Sequence, residues 1–164
     1  MEMNLGYAGS AGQKTVKFWP VYLCFLVFGI LIPFSKPEFS WTTLLSSMFL
    51  ALVMGLLAVN MLIMLLNNGN PVLRAESGGQ FAREAVSTGM LFMIPFTVLA
   101  VLALVVLGWD AVMPFASTAI TTAAATAGTE VMKKGAQGMK NMMIPTVIAM
   151  LVSTGWMLLV GILP

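Results

Sequence analysis

An unbroken run of 26 residues, Trp41 to Leu66, contains no charged side chain. Such a run is long enough to cross the hydrocarbon core of a bilayer as a helix, which takes about 20 residues. Over all 164 residues, 59% are hydrophobic and 9% are charged, whereas a soluble domain carries roughly 25% charged residues. Eight basic and six acidic residues cannot coat a water-exposed globule of this size. The sequence therefore predicts an integral membrane protein and excludes a soluble enzyme.

Apolar runs recur along the chain and are separated by short polar or turn-forming segments. We predict an all-α bundle of five transmembrane helices that forms a single domain, residues 18–164, after a polar cytoplasmic tail, residues 1–17. Pro95 lies inside the third run and should kink it. A short surface helix is predicted around residues 71–77. The five predicted spans cover residues 18–34, 41–66, 85–109, 111–132 and 141–163.

The fourth run has the right length but weak apolarity, because it holds five threonines, one serine and seven alanines. A bundle of four spans with one re-entrant or surface helix is the alternative. Five spans with the N-terminus inside place seven basic residues on one side and only Lys36 on the other, whereas four spans give four against four. The positive-inside bias favours five spans, with a cytoplasmic N-terminus and an external C-terminus in a plasma or inner membrane. The seven residues on the cytoplasmic side are Lys14, Lys17, Arg74, Arg83, Lys133, Lys134 and Lys140.

Two stripes of small residues follow the helical period in the fourth run. Small side chains let helices approach closely, and a threonine hydroxyl can bond across the contact or to its own helix. We expect a tightly packed central helix, and the alternative is a hydroxyl-lined path for a polar solute or ion. One stripe consists of Thr118, Thr122, Thr126 and Thr129, and the other of Ala116, Ala119, Ala123 and Ala127.

Two further polar residues stand near or within the runs. Asn60 lies in the inner part of the second run, where an amide usually bonds a neighbouring helix. Glu130 precedes Lys133 and Lys134 by three and four residues, the spacing of an ion pair on one helix face. The alternative roles are substrate contact for Asn60 and proton or cation binding for Glu130.

The chain lacks residue types and motifs on which several kinds of catalytic and binding site depend. The chain contains no histidine and one cysteine, Cys24, which lies in an apolar run. It shows neither paired catalytic carboxylates nor a glycine-rich nucleotide loop. A net charge of +2 is too small to indicate binding of nucleic acid. We therefore predict no catalytic residue, no cofactor and no metal site, and we do not expect an enzyme or a nucleic-acid partner.

These features favour an accessory or structural subunit of a larger membrane assembly, without catalytic chemistry of its own. Its expected partners are the lipid bilayer and other membrane protein subunits or copies of itself. The alternative function is a small homo-oligomeric channel or transporter, with the threonine stripe of the fourth helix lining its path.

Overall fold

The computed structural model describes residues 17–35, 38–134 and 140–162, and the regular elements in those ranges are all helical. The predicted all-α class is thus confirmed for the described part of the chain. Most of the predicted tail, Lys36 and the centre of the Lys133 to Lys140 connection lie outside it. The helices are α1 (Trp19–Leu31), a 3-10 helix (Ile32–Ser35), α2 (Trp41–Gly69), α3 (Pro71–Ser77), α4 (Gln80–Leu91), α5 (Met93–Leu107), α6 (Trp109–Lys133) and α7 (Lys140–Ile162).

The first two long helices pack closely as an antiparallel hairpin. A Cβ atom added at Gly29 of α1 would lie 2.8 Å from the Cβ of Ala51 and 2.9 Å from the carbonyl oxygen of Ser47, both on α2. A side chain at that position would therefore force the two backbones apart. The close approach allows the Ser47 hydroxyl to donate a hydrogen bond to the Gly29 carbonyl over 2.9 Å.

The predicted third span is divided into α4 and α5 at Phe92. Pro95 has no N–H to donate to the Leu91 carbonyl, and its ring crowds that carbonyl. The Phe92 N–H bonds Gly89 at 3.1 Å, three residues back, as in a tightened turn. The helix also begins at Gln80, earlier than the predicted residue 85. The earlier start follows from tertiary contacts, because Phe81 and Ala82 are buried in the bundle.

Helix α6 lies at the centre of the bundle and makes its most extensive contacts with α4, α5 and α7. It runs antiparallel to α4 and α5, to which Gly108 connects it with a φ of +85°. A glycine suits this connection because other residues rarely adopt that φ. Glu84 near the start of α4 therefore reaches Lys134 just beyond the end of α6.

In the described residues, two helical stretches are long and apolar enough to cross a membrane by length and composition: α2 and the α4–α5 pair. Only 33% of the most apolar stretch of α2, and 28% of that of α4–α5, are buried inside the molecule. Residues 19–34 and 143–155 form shorter apolar helices. Helix α6 has sufficient length but is more polar than these.

Candidate functional site around the central helix

The alanine stripe of α6 is closed by its neighbours. Ala119, Ala123 and Ala127 are fully buried, and Ala116 is 7% exposed. Gly89 of α4 lies against this stripe, since a Cβ atom built there would be 2.7 Å from the backbone nitrogen of Ala127. It would also press on the Ala123 carbonyl oxygen. The contact between α4 and α6 is therefore a backbone-to-backbone approach that only small residues permit.

The threonine stripe lies on another side of α6 and is not enclosed. Thr118 and Thr129 are exposed, while Thr122 and Thr126 are half-buried. The Thr118 hydroxyl donates to the Pro114 carbonyl at 2.7 Å, and the Thr126 hydroxyl to the Thr122 carbonyl at 2.8 Å. Thr129 likewise donates to its own helix, at 2.9 Å. These hydroxyl groups thus donate their hydrogens within the helix. A path for a solute through one copy would need hydroxyl groups that are free to bond the solute.

A cavity of about 20 Å³ lies where α1, α2, α6 and α7 meet. That volume is sufficient for about one water molecule. Its only lining side chains with polar hydrogens are Ser117 and Ser153, whose Oγ atoms are 3.4 Å apart. The other lining residues are Phe25, Phe28, Met54, Met113, Ala116, Ile120 and Val152.

Sequence reasoning did not select Ser117 as a candidate. The sequence feature that could have indicated Ser117 is its spacing from Met113 and Ile120, four and three residues away. This spacing places one hydroxyl on an otherwise apolar face of the helix. The partner hydroxyl of Ser153 comes from α7, and no spacing along the chain reveals that pairing. The Ser153 hydroxyl also donates to the Met150 carbonyl at 2.9 Å, so the pair forms a structural contact between α6 and α7.

The polar end of α6 carries two ion pairs. Glu130 accepts from Lys133 at 2.6 Å, as its spacing predicts. Lys134, which the same spacing placed beside Glu130, pairs with Glu84 of α4 instead. The side chain of Lys133 is 66% exposed and that of Glu130 is 27% exposed. Such surface pairs contribute roughly 0 to 1 kcal/mol, so they orient the helix ends more than they stabilise the fold.

Asn60 bonds its own helix in the described part of the chain. It lies on an exposed side of α2, and its Nδ2 donates to the Leu56 carbonyl of the same helix at 2.8 Å. The helices that pack on α2 contact a different face, which includes the buried residues Ala58 and Leu62. Asn60 therefore makes no bond to another helix in the described part of the chain.

Within the residues the structure describes, no three histidine, cysteine, aspartate or glutamate side chains group in a way that could hold a metal ion. Comparison with known proteins gave no match to a protein-family model, a curated protein or a solved structure.

Proposed function

We propose that this protein is a five-span membrane protein that acts as an accessory or structural subunit of a larger membrane assembly, without catalytic chemistry of its own. The observation that carries the proposal is the packing of α6. Its alanine face is closed against Gly89, and the hydroxyls of Thr118, Thr126 and Thr129 donate within the helix. The small residues of this helix thus serve to build the bundle, while the hydroxyl hydrogens of these three threonines are used within the helix.

The outer faces of α2 and α5 support a bilayer location. The core helix of a soluble protein is mostly buried, whereas about two thirds of the apolar stretch of α2 is not. Large exposed apolar patches are rare on soluble monomers. The large exposed apolar side chains include Leu45, Phe49, Leu56, Leu57 and Met64 on α2 and Val98, Leu102, Val105, Val106 and Leu107 on α5.

The antiparallel course of α6 supports its role as a span despite its weak apolarity. Its last turns lie beside the start of α4, through the Lys134 to Glu84 pair, and Gly108 joins its first turn to the end of α5. A bilayer crossed by α4 and α5 would then also be crossed by α6. Because neighbouring helices cover much of α6, it needs fewer apolar side chains than a helix surrounded by lipid.

The same ion pair supports the proposed orientation. It brings the polar connection of residues 67–84 and the end of α6 to one end of the bundle. The five-span topology requires this arrangement, since it gathers seven of the eight basic residues on the cytoplasmic side. The proposal thus has a cytoplasmic N-terminus, an external C-terminus, and lipid together with other membrane subunits or further copies as partners.

The alternative of a channel or transporter with a threonine-lined path has less support. Thr118 and Thr129 lie on the exposed surface of one copy. The cavity beside Ser117 and Ser153 is about 20 Å³, room for about one water rather than a pathway.

Cysteine labelling tests the topology. Gly78→Cys and Gln137→Cys, each in a Cys24→Ser background, should react with an impermeant maleimide from the cytoplasmic side only. Asp110→Cys should react only from the outside and serves as the control. Reaction at positions 78 and 137 from opposite sides would overturn the five-span arrangement.

Isolation from native membranes tests the subunit role. After cross-linking in the membrane and mild solubilisation, the chain should migrate in a discrete complex that contains other membrane proteins. The purified chain alone in vesicles should give no ion or solute flux above that of empty vesicles. A selective flux that Thr122→Val abolishes, with assembly intact, would replace the subunit proposal with transport.

A further inference from the structure

Asn60 stands deep within the most apolar part of α2. It precedes Leu66, the last residue of the uncharged run, by six positions, or about 9 Å at the helical rise of 1.5 Å per residue. Its side chain is exposed, as are Leu56, Leu57 and Met64 around it. It is the only asparagine or glutamine between residues 41 and 66, and residues 85–133 contain none.

A hydroxyl group can donate its one hydrogen to a carbonyl of its own helix, whereas a carboxamide has more hydrogen-bonding groups than such a bond uses. Asn60 has two N–H donors and one acceptor oxygen, and among the described residues its one hydrogen bond is the donation to the Leu56 carbonyl. One N–H and the Oδ1 atom of Asn60 therefore have no partner among the described residues. By contrast, the single hydroxyl hydrogen of Thr118, also exposed, is donated to Pro114. In the hydrocarbon core no water replaces the missing partners, so the amide favours contact with another polar group.

We propose that the exposed face of α2 around Asn60 is a dimerisation surface, on which a second copy of this chain packs its own α2 with its Asn60 against this one. This inference rests on the proposed membrane location, because water would solvate the amide of a soluble protein.

The chemistry of the amide selects a second copy as the occupant. A carboxamide is self-complementary, so two amides related by a twofold axis exchange two N–H···O bonds in an isologous contact. One asparagine on an otherwise apolar helix face also fixes the register and the number of copies in helix pairs. Met61 and Met64 flank it, and their unbranched side chains adapt to an opposing helix.

The 164-residue chain, labelled with donor or acceptor dyes at Gly9→Cys in the Cys24→Ser background, is reconstituted in phosphatidylcholine vesicles. Energy transfer measured over a series of protein-to-lipid ratios should fit a monomer–dimer equilibrium. Asn60→Leu should weaken dimerisation about fivefold to thirtyfold, the range for interhelical amide bonds in model helices. Asn60→Gln, which keeps the amide, should weaken it less. Thr118→Val is the matched control and should leave the equilibrium unchanged, because that hydroxyl is bonded within α6.

Cysteine cross-linking locates the contact. Leu56→Cys and Met64→Cys should form disulfides between copies, whereas Val105→Cys on the exposed face of α5 should not. Equal dimerisation by the parent protein and Asn60→Leu, or cross-linking through position 105 instead of positions 56 and 64, would overturn the inference. Extraction at alkaline pH separates the two proposals. Release from the membrane would overturn the membrane location, whereas a retained protein that stays monomeric would overturn the dimer alone.

Discussion

The two longest described helices, α2 and α6, accommodate polar groups in opposite ways. Helix α6 carries six hydroxyl side chains and lies at the centre of the bundle. Helix α2 is more apolar and exposes a broad surface, with one amide, Asn60, inside its uncharged run. The difference shows that helix apolarity here follows the amount of surface left uncovered. In the proposed bilayer location, a covered helix needs small residues for close packing, whereas a helix that faces lipid needs large apolar residues.

The largest expected effect tests the closed face of α6. Ala123→Leu adds three heavy atoms at a fully buried position beside Gly89. We expect a loss of about 1 to 3 kcal/mol in the free energy of unfolding, as is typical for overpacking. Ala125→Leu, on the half-buried side of the same helix, is the matched control and should cost less. Unfolding in mixed micelles measures both, and equal costs would show that the two faces of α6 do not differ.

A smaller effect is expected in the α1–α2 hairpin. Ser47→Ala removes the hydroxyl that bonds the Gly29 carbonyl, and it should cost about 0.6 kcal/mol and at most about 1.7 kcal/mol, the range for interhelical bonds in membranes. Ser46→Ala changes the exposed neighbour and serves as the control. The same unfolding assay applies. A larger loss for Ser46→Ala than for Ser47→Ala would contradict the role of this contact in joining α1 to α2.

The smallest effect is expected on the threonine stripe. Thr126→Val keeps the shape of the side chain and removes a hydroxyl that donates to its own helix. Because the Thr122 carbonyl keeps its backbone partner, the change in unfolding free energy should stay below about 0.6 kcal/mol, the mean for an interhelical bond. Unfolding and assembly are measured together, with Thr118→Val as a parallel variant. A loss of assembly for Thr126→Val alone would mean that its hydroxyl serves a contact with a partner.

The apolar runs of the sequence predicted the helical class. Helix α2 begins at Trp41 as predicted, and α6 and α7 begin and end within two residues of the predicted spans. Helix α4 begins at Gln80, five residues before the predicted span of residues 85–109. In the sequence, the charged residues Arg83 and Glu84 are typical of a polar loop. In the bundle, Glu84 belongs to α4 and pairs with Lys134, 50 residues away.

The sequence by itself determined which segments are apolar, where prolines and glycines interrupt them, and that the chain lacks histidine, because these properties are local. Only the tertiary structure decided how the faces are used. The alanine stripe meets Gly89, Ser117 meets Ser153, and among the described residues the amide of Asn60 bonds only its own helix. Helical spacing fixes which residues share a face. The partner of each face depends on how the helices pack, and this depends on contacts between residues far apart in the chain.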